Sequence, residues 1–245
     1  MFLDIKASLL RAQRQFSRAM SLLKRSYTIF LAAGDRHRAG RALVSMEITH
    51  NYAGSPEHGI PLLYKALELI DPQQEPRLLL CIWHNLAGEL AESGRVMEAH
   101  RLYLKARSLY PRFPEAVIQS RRTWIAGKIA LGLGQEKEAE TLFLDARQRF
   151  LAEEIPYEVA LVSLDLAALY AKQGRTEEMK QLAEEMMPVF SSLQIHREAL
   201  AALTFWKQAV EAEMTNERIS QLVAGVAAFL KRSRYDPELR FVAPV

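Results

Sequence analysis

A chain of 245 residues, 49% hydrophobic and 25% charged, has the composition of an ordinary globular protein and can fill one large domain or a repeat array. No run of 18 apolar residues occurs, so no membrane-spanning helix is expected, and the opening MFLDIKASLLRAQRQ lacks the apolar core of a secretion signal. The net charge of +3 hides a polarity: residues 1–41 hold nine Lys/Arg against Asp4 and Asp35, whereas residues 135–220 hold nine basic and sixteen acidic side chains.

Apolar spacing at i, i+3, i+4 and i+7 recurs along the whole chain and predicts helices throughout. An incomplete leading unit has helices near 2–13 and 16–33, closed by Gly34. Pairs then follow at about 36–53 with 57–71, 76–93 with 95–110, and 114–133 with 135–153. The last two are 157–173 with 176–187 and 195–213 with 216–232. Asp35, Thr176 and Thr215 are candidate caps, and Pro56 and Pro156 suit first turns. Pro61 requires its helix to start near Glu57 or His58, and Pro188 is expected to end or kink the helix that holds it. Asp71-Pro72, Pro111 to Pro114 and Ile155-Pro156 punctuate the joints, and residues 233–245 read as a tail partly packed through Tyr235 and Phe241.

The pairs are copies of one another. Gly54, Gly94, Gly134 and Gly174 stand at a constant interval of 40. With Leu80 as position 1, position 20 reads Ala19, Gly59, Ala99, Ala139, Met179, and position 27 reads Ser26, Ala66, Ala106, Ala146, Met186. Position 24 reads Leu23, Leu63, Tyr103, Phe143, Ala183, and position 7 reads Met46, Leu86, Ala126, Leu166, Trp206. Leu86, Tyr103 and Phe143 are expected in the core. Small residues at 20 and 27 let two antiparallel helices approach closely, and a glycine at position 15 can close the first helix in a left-handed conformation. The methionines Met179, Met186 and Met187 predict looser packing in the fifth pair.

Trp83 to Pro111 is the fullest copy. Its Trp83, Leu86, Ala87, Ala99, Tyr103 and Pro111 follow the tetratricopeptide pattern, with Ala87 in place of Gly and Leu90 in place of Tyr. The segment therefore resembles a tetratricopeptide repeat, and the 40-residue unit is similar to the long units of bacterial MalT-like regulators. The resemblance implies an all-α fold, an α-α superhelix built as a right-handed solenoid of antiparallel helix pairs. It would form a single domain over 1–232, with units near 1–34, 35–72, 73–113, 114–155, 156–193 and 194–232. Six residues beyond the standard 34 add roughly 9 Å of helix per pair. The ridge FLDIKASLL of the leading unit has the look of a cut edge, as in the C-terminal part of a longer protein.

The resemblance also implies a concave face built from first helices. Carried over by position, it selects Arg41, Val44, Ile48, Asn51 and Tyr52, then His84, Asn85 and Glu92. Arg121, Trp124, Ile125 and Lys128 follow, then Leu164 and Asp165, and finally Phe205 and Gln208. Asn85, Arg121 and Lys128 can hydrogen-bond an extended peptide or a carboxylate, and Trp124 and Phe205 can hold an apolar side chain. Trp124 has an alternative role as packing between units. An intra-chain salt bridge that buries Arg121 and Lys128 would remove that pair from the set. The Lys-Asn-Asn-Lys-Arg clamp of some family members is not reproduced.

Chemistry is harder to find. His37, His50, His58, His84, His100 and His196 make no metal-ligand spacing, and no phosphate-cradling glycine loop or nucleophile elbow occurs. Cys81 and His84 lie one turn apart without a third group, and the lone Cys81 reads as a buried, inert thiol suited to a reducing compartment. The expectation is a cytoplasmic, non-catalytic scaffold without cofactor or metal, holding a protein or peptide partner. The alternative is the sensory or regulatory arm of a larger bacterial signalling or transcription protein. The basic N-terminal end can steer an acidic partner, and terminal units can support a homo-oligomer. Neither a membrane nor a nucleic acid is expected as partner.

Overall fold

The computed structural model describes residues 2–55, 58–192, 204, 206, 207, 210, 216–233 and 239–242, with backbone alone for 187–192 and 216. The expectations for Pro56, Glu57, Phe205, Gln208, Thr215 and Tyr235 lie outside the described residues. Among those described, every regular element is helical. Two compact units result, Met1–Pro114 and Glu115–Val245, and the division falls at the joint between the third and fourth repeats.

The first unit contains α1 (Phe2–Ala12), α2 (Phe16–Ala32), α3 (Arg36–Tyr52), α4 (Gly59–Leu67), α5 (Pro76–Glu92) and α6 (Val96–Arg107), followed by a 3-10 turn at Tyr110–Arg112. Each helix packs on the next. The second unit contains α7 (Ala116–Gly132), α8 (Glu136–Ala152), α9 (Pro156–Gln173), α10 (Thr176–Ser192) and α11 (Asn216–Ser233), with α9 packed on α8, α10 and α11.

The glycine column does what its spacing implies. Gly54, Gly94 and Gly134 each have φ 77° and Gly174 has φ 69°. After α5, for instance, the Arg95 N–H donates to the Leu90 carbonyl, which closes the helix. Two non-glycine residues stand in the same kind of turn. Arg14 (φ 61°) extends this column into the leading repeat, and Glu154 (φ 55°) stands three repeats after Gly34 (φ 73°). Each carries a Cβ in a left-handed conformation that costs a side chain on the order of 1 kcal/mol.

The small-residue columns are the helix contacts. Ala19, Ala99 and Ala139 are fully buried, as are Ala66, Ala106 and Ala146. Leu86 and Phe143 are core as expected. Tyr103 is not: it is half-buried, and Tyr110 is the fully buried aromatic of that repeat, its ring 6.3 Å from that of Tyr103. Tyr110 belongs to a further column, Phe30, Ile70, Tyr110 and Phe150, of which the last three are buried and Phe30 is half-buried. Cys81 is half-buried.

Helix starts follow local chemistry. The Asp35 carboxylate accepts the Arg38 N–H at 3.0 Å, the expected cap. Thr176 is the first residue of α10 and not its cap. Pro61 sits in the first turn of α4, where its missing N–H has no intrahelical partner to lose. Pro188 does not end its helix, because α10 runs on to Ser192. The tail packs through Phe241, whose ring lies 5.2 Å from that of Phe229.

Candidate functional site: the first-helix faces

In the first unit, α1, α3 and α5 are first helices, and a buried acid lies among them. Glu47 on α3 is wholly buried. It stands at position 8, where later repeats have Ala87, Gly127 and Ala167. Room for it comes from α4, because Gly59 is the single glycine in a column that otherwise reads Ala, Met or Ile, and a Cβ there would lie 2.8 Å from Glu47 Cγ. Two carboxamides hold the acid. Asn51, one turn along α3, donates from Nδ2 to Oε1, and Asn85 on α5 donates from Nδ2 to both oxygens at 3.4 Å. Burial, first, and the neighbouring Glu89 push the Glu47 carboxyl up to about 7, against the opposing pull of Asn85, Asn51 and the Arg11 guanidinium.

Asn51 and Asn85 are both half-buried, and among the described residues no hydrogen bond engages either amide oxygen. Neither amide oxygen is a buried, unsatisfied atom, so both reach solvent. Beside them the Arg11 guanidinium covers the Tyr52 ring at 5.4 Å and donates to the Ser45 carbonyl at 3.4 Å. His84 is engaged from the inside: its Nδ1 is 2.8 Å from the hydroxyl of buried Tyr110. That contact gives the Tyr110 hydroxyl a polar partner within the core. Arg41 is exposed and pairs with Glu75 at 2.8 Å, a carboxylate that also meets His37 at 3.4 Å. Glu92 is exposed, Ile48 is half-buried, and Val44 is core.

In the second unit the first helices are α7 and α9. Trp124 and Lys128, one turn apart on α7, meet Asp165 on α9. The Trp124 Nε1–H donates to Asp165 at 2.6 Å, and the Lys128 ammonium lies 4.2 Å from the Trp124 ring centroid and 3.9 Å from the same carboxylate. Lys128 is only 12% exposed. Arg121 pairs at 2.9 Å with Glu158, which is 2% exposed. Both cations are thus in intra-chain ion pairs, but only Lys128 is buried in one. Lys128 is committed to Trp124 and Asp165, and Arg121 compensates a buried acid although 43% of it stays exposed. Trp124 is packing too, edge-on to Phe150 at 5.9 Å. Ile125 and Leu164 are core.

Of the residues selected by position, therefore, Asn51 and Asn85 are brought together through Glu47, and Trp124, Lys128 and Asp165 through an ion pair and a ring face. Sequence reading missed Glu47 and Glu158. Glu47 was visible as the one acid in a column of Ala, Gly and a final Lys207, opposite the odd glycine; Glu158 had no comparable signal. Among the described residues, no three of His, Cys, Asp and Glu come together in a way that could hold a metal, and no helix is long and apolar enough to cross a membrane.

No family model and no curated protein matches this sequence. Solved structures do. A Rap protein complexed with Competence and Sporulation Factor is similar over 96% of this chain and 71% of its own, with a TM-score of 0.68 at 14% identity. BtubC (BKLC) from P. vanneervenii is similar over 94% of this chain and 97% of its own, with a TM-score of 0.55 at 22% identity. At these identities the likeness shows the fold, and the chain is an all-α protein of the α-α helical-repeat class.

Proposed function

We propose that this chain is a non-catalytic protein-interaction module that holds a protein or peptide segment on its first-helix faces. The observation behind this reading is the Asn51–Glu47–Asn85 arrangement. Two carboxamides on successive first helices are anchored from within by a buried acid, and each keeps a solvent-reaching oxygen with no partner among the described residues. An extended main chain needs such paired donor and acceptor groups, held in place beforehand so that little ordering is left to pay on binding. The likeness to a Rap protein solved with a bound factor agrees with this use of the fold. Within the first unit, Arg38 and Arg41 pair with the carboxylates of Asp35 and Glu75 and Arg36 donates to the Glu68 main-chain carbonyl, whereas Lys6, Lys24 and Arg25 are exposed; these would favour an acidic partner.

The test is selection of an unbiased displayed-peptide library on the full chain, counter-selected on the triple variant Glu47→Ala/Asn51→Ala/Asn85→Ala. That variant removes the acid together with its donors, so no uncompensated carboxylate is left inside. Peptides that bind the parent and not the folded variant support the reading; peptides indifferent to the variant refute it.

A second reading, the regulatory arm of a larger signalling protein, has one observation in its favour. Phe2, Ile5 and Leu9 on α1 are 75%, 63% and 58% exposed. The residues one repeat after Phe2 and Leu9, Ala42 and Thr49, are buried. Intact mass of the natural gene product decides it: a mass matching these 245 residues alone refutes this reading.

A further inference from the structure

We propose that Glu47 is a proton-operated positioning residue whose ionisation state sets which end of the Asn85 carboxamide faces outward, and so switches this surface between accepting and donating hydrogen bonds. The inference rests on the interaction reading for its consequence, though not for the switch itself. Glu47 is closed in by four helices: its own α3, α1 through Arg11, α4 through Gly59, and α5 through Asn85 and Glu89. Among the described residues, the charged groups that act on it are Arg11 from α1 and Glu89 from α5; from α4 Gly59 faces it, and from α3 the neutral Asn51.

The ionised carboxylate is acceptor-only, so both asparagines must turn Nδ2 inward. That is the arrangement present, and it leaves the amide oxygens outside. Uptake of one proton from solvent onto a Glu47 oxygen converts that oxygen into a donor. A donor cannot face another donor in a buried site, because an unmet polar group there is costly. The relief is a half-turn of one carboxamide about its last side-chain bond, which presents Oδ1 to the new O–H and sends the NH2 outward. Asn85 is the one to turn. Both its contacts with the carboxylate are long, 3.4 Å, whereas Asn51 is held close on the same helix. Above the transition, Asn85 offers an acceptor to a partner's main-chain N–H; below it, a donor to a partner's carbonyl.

Because burial and Glu89 raise the carboxyl to about 7, the transition falls near neutral pH. The test uses the full chain without any ligand, so its outcome is independent of whether a peptide binds. Carbon-13 shifts of the glutamate carboxyls and nitrogen-15 and proton shifts of the Asn85 and Asn51 side-chain amides are followed from pH 5.5 to 8.5. The expected result is one shared midpoint near 7 for Glu47 and the Asn85 amide, abolished in Glu47→Gln, which supplies a donor and an acceptor at all pH values. In Glu89→Gln the co-titration persists with a lower midpoint, a control that leaves Glu47 in place. A Glu47 carboxyl that titrates while the Asn85 amide stays flat overturns the proposal. So does an Asn85 titration that survives Glu47→Gln, or a Glu47 midpoint below 5.

Discussion

The pairing of Glu47 with Gly59 makes a sharp prediction about stability. Adding a methyl group at Gly59 places a Cβ 2.8 Å from Glu47 Cγ. The acid cannot swing aside cheaply, because Asn51 and Asn85 hold its carboxylate. Gly59→Ala is therefore an overpacking change and should cost about 1–3 kcal/mol. This loss exceeds the small gain expected from Ala over Gly in the first turn of α4. With Glu47→Ala as well, the contact becomes the Ala/Ala pair already used by Ala87 and Ala99 in the next repeat, both buried. In that background Gly59→Ala should be neutral or stabilising. The cycle's coupling energy is then about 1–3 kcal/mol, well outside the few tenths expected for independent sites. Urea denaturation followed by far-ultraviolet circular dichroism on all four proteins measures it. Additivity of the two substitutions would refute the claim that the glycine exists to admit the acid.

Other outcomes follow from single sites. A carboxyl raised from 4.5 to about 7 favours the folded state fully below pH 4.5, and that stability is lost as pH rises from 4.5 to 7, staying flat above. The shift corresponds to about 3 kcal/mol, so Glu47→Gln should flatten the difference in urea midpoint between pH 5 and pH 8, and an unchanged difference would remove Glu47 as its source. Leu86→Ala empties a fully buried site and should cost about 2–5 kcal/mol; an unchanged thermal melt contradicts the repeat register. Arg14→Gly or Glu154→Gly relieves a left-handed side chain and should raise stability by about 1 kcal/mol, while Gly134→Ala, with φ 77°, should lower it by a similar amount. Equal melts for all three would show that these turns store no strain.

Much of the helical framework was legible because its constraints are local or periodic. A left-handed turn needs glycine, and a close helix contact needs a small side chain, so Gly54 to Gly174 and the alanine columns showed the pairs without coordinates. Tyr103 misled because an aromatic at position 24 reads as core, yet the volume was filled by Tyr110 with His84 satisfying its hydroxyl. Of the two outcomes expected at Pro188, a helix end is excluded, because the helix runs on to Ser192. The site was less legible. Position alone marked Arg121, Trp124 and Lys128, but their partners, Glu158 and Asp165, lie a whole repeat away, and only the stacking of α9 on α7 and α8 reveals that their polar groups are already engaged. Glu47 could have been found by asking why one column holds an acid opposite its only glycine.

The interaction reading is tested most directly by amide hydrogen exchange on the full chain, with and without a peptide enriched from the displayed library. Protection gained on α3 and α5 around Asn51 and Asn85, and absent in the folded triple variant, is the predicted result. Protection confined to the second helices α4 and α6, or unchanged in that variant, would contradict it.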